Sequence, residues 1–326
     1  MTVEFCGLRL RSPIINGSGT FDAIAARRTF GDDLLERFPF AAFVSKTVTV
    51  EPRWGNPPPR LWESPAGLIN SIGLPNRGLD GYLDEDLPAL ADLPVPLIVN
   101  VMGFTRDEVA TLVGAFGARD EVAALELNVS CPNVESGLVM GADPAETAAL
   151  LRRVRPLTAK PLIVKLTPSA PDSAAVAAAA QEAGADAVSL VNTLRGMALR
   201  PDTGSPWLGG TTGGLSGPAI RPIALAQVAQ VAARVDIPVV GMGGVQSGWN
   251  ALDLLEAGAS LVAVGTESFR DPAAGARIAA ELDRAARQRP VSTLNPSRNV
   301  RRRLAVPEKI PANGPEPDGV DRHSYT

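Results

Sequence analysis

One cysteine and two lysines are the residues best placed to do chemistry, because each lies at the end of a predicted strand or just past it. Cys131 comes after the apolar run 124–129 and before Pro132, in a loop. A thiol has a reference pKa of about 8.5 and can serve as a base near neutral pH with little assistance. Lys46 and Lys165 end two other apolar runs. An amine there could form a Schiff base, face an anionic ring system, or pair with a buried carboxylate, and the sequence leaves these readings open.

Composition excludes histidine chemistry. The chain has one histidine, His323, close to the carboxyl terminus, and two cysteines, Cys6 and Cys131. A Ser-His-Asp triad, a Cys-His pair or a histidine-ligated metal site would need a histidine in the folded core, so we expect none of them. The group that removes a proton must then be Cys, Lys, Tyr, Asp, Glu, Ser or Thr. Cys6 lies in a predicted hairpin, where we expect a small buried hydrophobic residue.

Two glycine-containing turns predict a phosphate site. The run 237–244 reads as a strand that ends in glycines before a helix, and the run 260–266 ends in Gly265 and Thr266. Backbone N–H groups at helix amino termini bind phosphate, and the loops after strands seven and eight of parallel barrels commonly do so. A plain tight turn is the alternative. The third glycine and the downstream acid of a dinucleotide fingerprint are missing, so NAD binding is not predicted here.

The composition is that of a soluble globular protein. The 326 residues are 45% hydrophobic and 20% charged, and 31 Lys plus Arg against 35 Asp plus Glu give a formal charge of −4. This mildly acidic balance argues against nucleic acid or an anionic membrane as the main partner. No secretory signal is visible at the amino terminus, and no apolar run reaches the roughly 18 residues of a membrane span. Two cysteines are too few for a disulfide framework, so we expect a cytoplasmic protein.

Short apolar runs alternate with helix-like segments along the chain. The apolar runs are continuous, as expected when both faces of a parallel sheet are buried. They cover residues 13–16, 41–46, 96–101, 124–129, 161–166, 185–191, 237–241 and 260–265. The helix-like segments cover residues 106–116, 144–154, 172–183, 218–235, 248–257 and 272–287. Thr105, Asp143 and Ser247 are candidate N-caps.

This alternation predicts an α/β fold, a TIM (β/α)8 barrel in which every strand edge is paired. An open doubly wound sheet is the alternative, but no Rossmann fingerprint accompanies the eight units. A small hairpin of residues 3–5 and 8–10 is predicted before the first strand. We expect one catalytic domain over residues 1–289. Prolines and arginines replace the apolar periodicity over residues 290–326, which predicts a largely flexible carboxyl-terminal extension.

Polar residues or glycines close all eight strands, which is hard to attribute to packing alone. Active sites of such barrels lie at the carboxyl ends of the strands and in the loops that follow. Those ends carry, in chain order, Asn16 with Ser18, Lys46, Asn100, Asn128, Lys165, Asn192 with Thr193, Gly243 with Gly244, and Gly265 with Thr266. We therefore expect these side chains and turns to converge on one polar site at this rim.

Several segments together resemble the dihydroorotate dehydrogenase family, in order and at the family's spacing up to about residue 272. They are NGSGTF at 16–21, SKT at 45–47, EPRWGNPPPR at 51–60, NSIGLPN at 70–76, NVSCPN at 128–133, IVKLTP at 163–168, NTLRGMA at 192–198 and GGLSGPA at 213–219. The resemblance is greatest to the class 1B catalytic subunit, a soluble FMN-containing barrel. It implies the oxidation of dihydroorotate to orotate in the pyrimidine biosynthesis that leads to UMP.

The resemblance also implies roles for individual residues. Cys131 would be the base that removes the C5 proton of dihydroorotate while C6 delivers hydride to flavin N5. Lys165 would stabilise the anionic reduced flavin, and the glycine turns would take the phosphate. Substrate would be held by Lys46, Asn70, Ser71, Ile72, Gly73, Leu74, Asn128, Asn192 and Thr193. FMN would be held by Ser18, Lys46, Thr47, Asn100, Asn128, Lys165, Val191, Gly217, Gly243, Gly244, Gly265 and Thr266.

The same resemblance implies a partner protein. In class 1B enzymes the electrons pass to a second subunit that carries FAD and an iron–sulfur cluster and reduces NAD, so we expect a homodimer or heterotetramer. A class 1A enzyme that reduces fumarate directly is one alternative. A dihydropyrimidine dehydrogenase-like FMN barrel that acts on uracil or thymine is another. A protein without flavin is the third, either a phosphate-sugar lyase with Lys165 as its Schiff-base amine or a non-catalytic binding barrel.

Overall fold

The computed structural model describes residues 1–130 and 141–289, and its largest sheet is a ring of parallel strands. The strands, in chain order, are β1 (Val3–Phe5), β2 (Leu8–Leu10), β3 (Ile14–Asn16), β4 (Phe43–Val44), β5 (Leu61–Ser64), β6 (Gly67–Asn70), β7 (Leu97–Val101), β8 (Val122–Asn128), β9 (Leu162–Lys165), β10 (Ala187–Leu190), β11 (Leu194–Gly196), β12 (Gly213–Ser216), β13 (Val239–Met242) and β14 (Leu261–Val264). The ring runs in the order β3-β14-β13-β10-β9-β8-β7-β4, and every neighbouring pair in it is parallel.

Helices connect the strands of the ring and cover its outside. They are α1 (Ala23–Phe30), α2 (Asp33–Glu36), α3 (Gly78–Gly81), α4 (Leu87–Leu90), α5 (Arg106–Gly117), α6 (Pro144–Val154), α7 (Ser173–Glu182), α8 (Arg221–Arg234), α9 (Gly248–Glu256) and α10 (Ala274–Gln288). A π-helical segment, Tyr82–Asp86, joins α3 to α4, and 3₁₀ turns cover Arg155–Leu157, Pro218–Ile220 and Thr266–Phe269. Among the described residues, no helix is both long and apolar enough to cross a membrane.

The predicted barrel is confirmed. Each predicted strand overlaps one strand of the ring, and the boundaries differ by at most two residues. The side chains of the candidate N-caps Thr105, Asp143 and Ser247 accept hydrogen bonds from the backbone N–H groups three residues later. The predicted helix 218–235 instead starts as a 3₁₀ turn, because Pro222 has no N–H to donate to the carbonyl four residues earlier. The predicted extension over residues 290–326 lies outside the described residues.

The side chain of Asn16 joins the first and last strands of the ring. Its Oδ1 accepts a hydrogen bond from the N–H of Val44 and its Nδ2 donates to the carbonyl of Val44, each at 2.8 Å. The amide thereby takes the place of a backbone peptide across the seam between β3 and β4. Asn16 is fully buried, and its Nδ2 also donates to the carbonyl of Gly17 at 3.1 Å. Its donor and acceptor serve the closure of the barrel and are not offered to a ligand.

The hairpin of β1 and β2 closes the amino-terminal end of the barrel, as predicted. Phe5 and Leu10 are buried against inward-facing strand residues such as Ile98 and Ile163. Cys6, in the tight turn of this hairpin, is half-buried rather than buried, and its Sγ contacts the carbonyl of Asp186 at 3.4 Å. With this end filled, a ligand reaches the barrel from the opposite, carboxyl-terminal rim.

A small antiparallel sheet stands above that rim, and the sequence did not predict it. Its order is β11-β12-β6-β5, so the loop that follows β4 pairs with the loop that follows β10. Ile69, Ala198 and Leu208 form its own small core. The pairing places Asn70 opposite Gly214. Two loops that are far apart in the sequence are thus held over the same opening.

Arg277, on α10, ties together the loops that follow β13 and β14. Its guanidinium donates to the carboxylates of Glu267, Asp271 and Glu281 at 2.8–3.1 Å and to the carbonyl of Gln246 at 3.1 Å. Glu267 belongs to the 3₁₀ turn after β14, and Gln246 follows the glycine turn after β13. One cation therefore fixes both loops of the predicted phosphate site to the same helix.

The seam bond is tested by Asn16→Ala. Because the N–H and carbonyl of Val44 would lose buried partners, we expect the free energy of unfolding to fall by about 2–5 kcal/mol. Chemical denaturation measures this loss. Thr111→Ala is the control, since Thr111 is exposed and bonds only within its own helix. A loss in Asn16→Ala no larger than in this control would show that the seam does not depend on Asn16.

The role of Arg277 is tested by Arg277→Met. Three carboxylates would then cluster without their cation, and we expect a loss of about 2 kcal/mol in unfolding free energy at neutral pH. Arg277 lowers the pKa of Asp271 below its ordinary value of 3.8. Its stabilisation is therefore present above that value and fades as the pH falls through the lowered pKa. Arg119→Met, which removes one exposed ion pair with Glu121, should cost under about 1 kcal/mol. Equal losses in the two variants would contradict the role.

Candidate active site

Parallel register brings the predicted polar residues together on the inner face of the barrel, at two successive positions. Asn100 pairs with Glu126, Asn128 with Lys165, and Lys165 with Ser189. Side chains two apart on a strand share a face, so the residues before them, such as Ile98 and Ile163, also point inward and fill the space below. The polar side chains therefore form the uppermost inward layer, next to the rim.

Asn100 has one satisfied and one unsatisfied end. It is fully buried, and its Nδ2 donates to Glu126 at 2.9 Å, whereas its Oδ1 is buried without a hydrogen-bond partner among the described residues. Buried polar atoms are almost always paired in native proteins. Sequence reasoning missed Glu126, although one charged residue inside the otherwise apolar strand β8 was a signal. The free oxygen indicates that a ligand donor completes this site.

Lys165 is a buried cation without an ion pair. Its side chain belongs to a residue only 7% exposed, and within residues 1–130 and 141–289 no carboxylate pairs with it. The alternative of a buried ion pair is thus not found in the described part of the chain. A buried charge is costly unless it is compensated, so this amine requires an anionic or strongly polar ligand group.

Lys46, Ser18 and Thr47 form the neighbouring part of the rim. Thr47 is buried and Lys46 is exposed, and Ser18 donates from its Oγ to the carbonyl of Ser45 at 2.8 Å. The pKa of Lys46 is lowered, chiefly by loss of hydration. Asp22 opposes this shift, and Arg60 adds to it. Lys46 and the neighbouring cation Arg60 together favour an anionic ligand at this part of the rim.

The glycine turns meet at one place, as predicted. Gly243 and Gly244 have φ angles of 127° and 68°, and a Cβ atom on Gly244 would lie 3.0 Å from the carbonyl oxygen of Gly217. A Cβ atom on Gly217 would in turn lie 3.6 Å from the methyl group of Thr266. Backbone from three different loops can therefore approach one ligand group here, which fits a phosphate.

Two more predicted residues lie beside this cluster. The N–H of Val191 donates to the carbonyl of Met242 at 3.0 Å, directly before the glycine turn. A Cβ atom on Gly265 would meet only the side chain of Thr20, at 3.6 Å. The backbone at Gly265 is therefore open on one side. Val191 thus contacts the residue directly before the glycine turn after β13, and Gly265 follows β14 directly before Thr266 of this cluster.

A polar cleft lies beside the loops that follow β8, β9 and β10. Asn192 donates from Nδ2 to the Oγ of Ser130 at 2.9 Å, and its Oδ1 accepts from the N–H of Thr193 at 2.8 Å. Asn128 lies just before this position, since its Oδ1 contacts the N–H of Ser130 at 3.4 Å. The cleft measures about 220 Å³ and is lined by Ser130, Thr167, Ser169, Asn192, Thr193, Arg195, Gly213 and Gly214.

Asn70 connects this cleft to the small antiparallel sheet. Its Nδ2 donates to the carbonyl of Gly214 at 3.2 Å. A Cβ atom on Gly214 would collide with the hydroxyl of Thr193. Asn70, Gly214 and Thr193 thus lie next to one another in space. Only a glycine fits at position 214, between the side chains of Asn70 and Thr193. The structure brings together substrate-site candidates that are more than 120 residues apart in the sequence.

The loop of residues 71–74 is shaped by two residues that the sequence did not single out. The N–H of Ser71 donates to the carbonyl of Arg60 at 2.8 Å, and the Nδ2 of Asn56 donates to the Ser71 hydroxyl at 2.9 Å. The N–H of Asn56 also donates to the carbonyl of Ile72 at 3.0 Å. Gly73 and Leu74 both have positive φ, at 76° and 55°. This loop is therefore held in a fixed shape by Asn56 and Arg60.

Cys131, the candidate base, lies outside the described residues, which stop at Ser130 and resume at Gly141. The other predicted residues form two sets at the opening. One set offers an unpaired acceptor, a buried cation and a glycine-lined cradle. The other offers amides and an exposed amine. The first set fits a phosphorylated heterocycle with both donors and acceptors, and the second fits a small anion with amide-like edges.

Comparison with known proteins agrees with this geometry. The family model for dihydroorotate dehydrogenase matches residues 1–285. Three relatives are each named dihydroorotate dehydrogenase B (NAD(+)), catalytic subunit. The relative from Pelobacter propionicus is 46% identical, over 87% of this chain and 92% of its own. The relative from Geobacter sulfurreducens is 44% identical, over 87% of this chain and 92% of its own. The relative from Desulforudis audaxviator is also 44% identical, over 90% of this chain and 94% of its own. The chain therefore belongs to the dihydroorotate dehydrogenase family.

Proposed function

We propose that this protein oxidises dihydroorotate to orotate in pyrimidine biosynthesis, with FMN as its resident cofactor. The observation that carries this proposal is the pair of unsatisfied groups inside the rim. Lys165, a residue 7% exposed with no ion pair among the described residues, and the buried, unpaired Oδ1 of Asn100 together suit a ligand with an electron-rich edge and an N–H donor. An isoalloxazine ring has both features. The adjacent glycine cradle suits the phosphate of FMN.

The residues that would hold FMN come from several strand ends and loops at one rim. Asn100, Asn128 and Lys165 would face the ring, and Ser18, Lys46, Thr47 and Val191 would border it. The phosphate would meet Gly217, Gly243, Gly244, Gly265 and Thr266. When bound, FMN supplies a hydride acceptor at its N5 atom. The protein contributes the electrostatic setting, since the charge of Lys165 favours the negative charge that a reduced flavin carries.

The substrate would lie on the amide-lined side of the opening. Lys46 provides a positive charge for the carboxylate of dihydroorotate, assisted by Asn70 and the backbone of residues 71–74. Asn128, Asn192 and Thr193 offer donors and acceptors to the ring amides, and an asparagine can supply both to one imide edge. The hydrogen bonds among these side chains fix their orientation before substrate arrives, which supports precise placement of the reacting carbon atoms.

Cys131 would act as the base. Its thiolate would take the C5 proton of dihydroorotate while a hydride leaves C6 for the flavin, so that the C5–C6 bond becomes the double bond of orotate. The proposal rests on the chain position of Cys131, directly after Ser130, which contacts both Asn128 and Asn192. Histidine is not available for this task, as His323 lies far along the chain.

The electrons would then pass to a partner protein. The relatives' names include NAD(+) and describe a catalytic subunit, which supports the presence of another subunit. We infer that this subunit carries FAD and an iron–sulfur cluster and passes the electrons to NAD. The assembly would be a homodimer of this chain or a heterotetramer with that subunit.

The function is tested by anaerobic reduction of the flavin. Dihydroorotate should bleach the visible flavin absorbance of the purified protein, whereas dihydrouracil, which lacks the carboxylate that pairs with Lys46, should not do so at the same concentration. Stopped-flow absorbance measures both reactions. Faster bleaching by dihydrouracil would favour a uracil-type activity. A protein that stays colourless after incubation with FMN would refute the flavin assignment altogether.

The base is tested by Cys131→Ser. A serine hydroxyl is a far weaker base without a partner, so we expect turnover at neutral pH to fall by at least about 100-fold while FMN remains bound. Cys6→Ser is the matched control. Burial and the neighbouring Asp186 carboxylate raise the pKa of Cys6 to about 12, so this thiol stays protonated and its replacement should leave turnover unchanged. Full activity in Cys131→Ser would remove the residue from this role.

The role of Lys46 is tested by the pH profile of kcat/KM. Because the pKa of Lys46 is lowered from 10.5, its charge is present at neutral pH and is lost as the pH rises through that lowered value. We expect kcat/KM for dihydroorotate to fall there in the wild type. In Lys46→Arg the side chain stays charged, so the fall should move to higher pH. Lys160→Arg is the control. Lys160 precedes β9, at the end of that strand away from the rim, so this variant should keep the wild-type pH profile of kcat/KM. The same alkaline midpoint in Lys46→Arg would contradict the assignment.

A further inference from the structure

Glu126 is a buried carboxylate to which none of the roles above has been assigned. It lies in the middle of β8, faces the barrel interior and is 4% exposed. Its Oε2 accepts from the Nδ2 of Asn100 at 2.9 Å, and its Oε1 accepts from the Oγ of Ser189 at 2.6 Å. Both partners are neutral. Removing a carboxylate from water costs free energy, so its presence here calls for a reason beyond packing.

The carboxylate determines which end of the Asn100 amide faces the ligand. Both carboxylate oxygens of Glu126 accept hydrogen bonds, and the amide of Asn100 accordingly turns its Nδ2 toward Glu126. The Oδ1 atom then points away from Glu126, and it is the atom found buried without a partner. An Asn side chain has a donor and an acceptor of nearly equal size. Without a neighbour that only accepts, it could present either one.

Ser189 holds the carboxylate in place from the other side. Glu126 is on β8 and Ser189 on β10, with β9 between them. Across β9, Glu126 pairs with Ile163, and Ser189 pairs with Lys165. The Glu126–Ser189 bond therefore crosses the inner face of β9 between these two residues. Glu126 is fixed at both oxygens, so the orientation it imposes on Asn100 is fixed as well.

We propose that Glu126 is a positioning residue of the flavin site, which holds the Asn100 amide so that its Oδ1 is offered as an acceptor to FMN. This inference rests on the proposed FMN site. FMN in its oxidised form has one ring N–H, at N3, besides its ribityl hydroxyls. An acceptor presented toward the ring matches such a donor, whereas a second donor would leave both groups unsatisfied.

The test measures FMN affinity of the flavin-free, full-length protein by quenching of flavin fluorescence. Glu126→Met keeps the volume and removes the acceptor, and we expect FMN to bind at least about tenfold more weakly, which corresponds to about 1.4 kcal/mol. Glu126→Gln removes the charge but keeps an oxygen for Asn100, and its amide can donate to the Ser189 hydroxyl. We expect Glu126→Gln to restore affinity to within about threefold of the wild type.

These variants separate three roles of Glu126. Affinity unchanged in Glu126→Met would mean that Glu126 only fills space. Affinity as low in Glu126→Gln as in Glu126→Met would mean that its charge matters and not its hold on Asn100. Either result overturns the proposal. Ser189→Ala, which leaves the bond between Asn100 and Glu126, should weaken FMN by less than about threefold. A loss equal to that of Glu126→Met would also overturn it.

A double-mutant cycle tests whether Glu126 acts through Asn100. Asn100→Ala should itself weaken FMN, and adding Glu126→Met to it should weaken FMN by less than about twofold further. The same tenfold loss in both backgrounds would show independent action and refute the proposal. Thermal melting of each flavin-free variant checks folding. Should Glu126→Met fail to fold, Glu126→Asp, which is shorter by one methylene, replaces it with the same expected loss.

FMN binding by the wild-type protein distinguishes a failure of this inference from a failure of the proposed function. Wild-type protein that does not bind FMN would refute both. Wild-type protein that binds FMN, together with variants that bind it equally well, would refute only the role of Glu126. Tight binding in the wild type, loss in Glu126→Met and recovery in Glu126→Gln would support the inference and the FMN site together.

Discussion

The parallel closure of eight strands is the constraint on which the site depends. Parallel strands in register place their carboxyl ends on one edge, and the twofold alternation of side chains sends every second residue inward. Asn128 and Lys165 are in register, and Asn100 pairs with Glu126 two residues earlier on β8, so the three side chains share the inner face near that edge although each is in a different strand. The Asn16 amide completes the ring where β3 and β4 meet. The hairpin of β1 and β2 fills the other end, so the polar layer faces the single open rim.

Within this frame, the balance of satisfied and unsatisfied polar groups determines what the site can bind. Glu126 is satisfied by its two neutral donors, whereas the Lys165 amine and Asn100 Oδ1 have no partners among the described residues. Such unpaired groups destabilise the protein without a ligand. A ligand of complementary chemistry removes this cost when it binds, which strengthens its binding. The glycine turns add backbone donors at a different height. These groups together support the proposal of a polar, phosphorylated ligand.

The sequence predicted the barrel and most of the rim because both follow from local pattern. Apolar runs, N-caps such as Thr105 and glycines such as Gly243 act over a few residues. The small antiparallel sheet was not predicted, because it pairs loops more than 120 residues apart and depends on tertiary contact. The structural role of Asn16 was likewise hidden, since a polar residue at a strand end looks the same in sequence whether it binds a ligand or closes a seam. Glu126 was visible as an isolated charge, but its partner Ser189 was not.

The central claim is that glycine turns and unpaired polar groups of one rim together hold a phosphorylated flavin. Comparing the affinities of flavin-free protein for FMN and for riboflavin, which lacks the phosphate, tests this claim most directly. If the account is right, one FMN binds per barrel and at least about tenfold more tightly than riboflavin, because charge-assisted hydrogen bonds to the phosphate are lost in riboflavin. Equal affinities for the two flavins, or no binding of either, would contradict it.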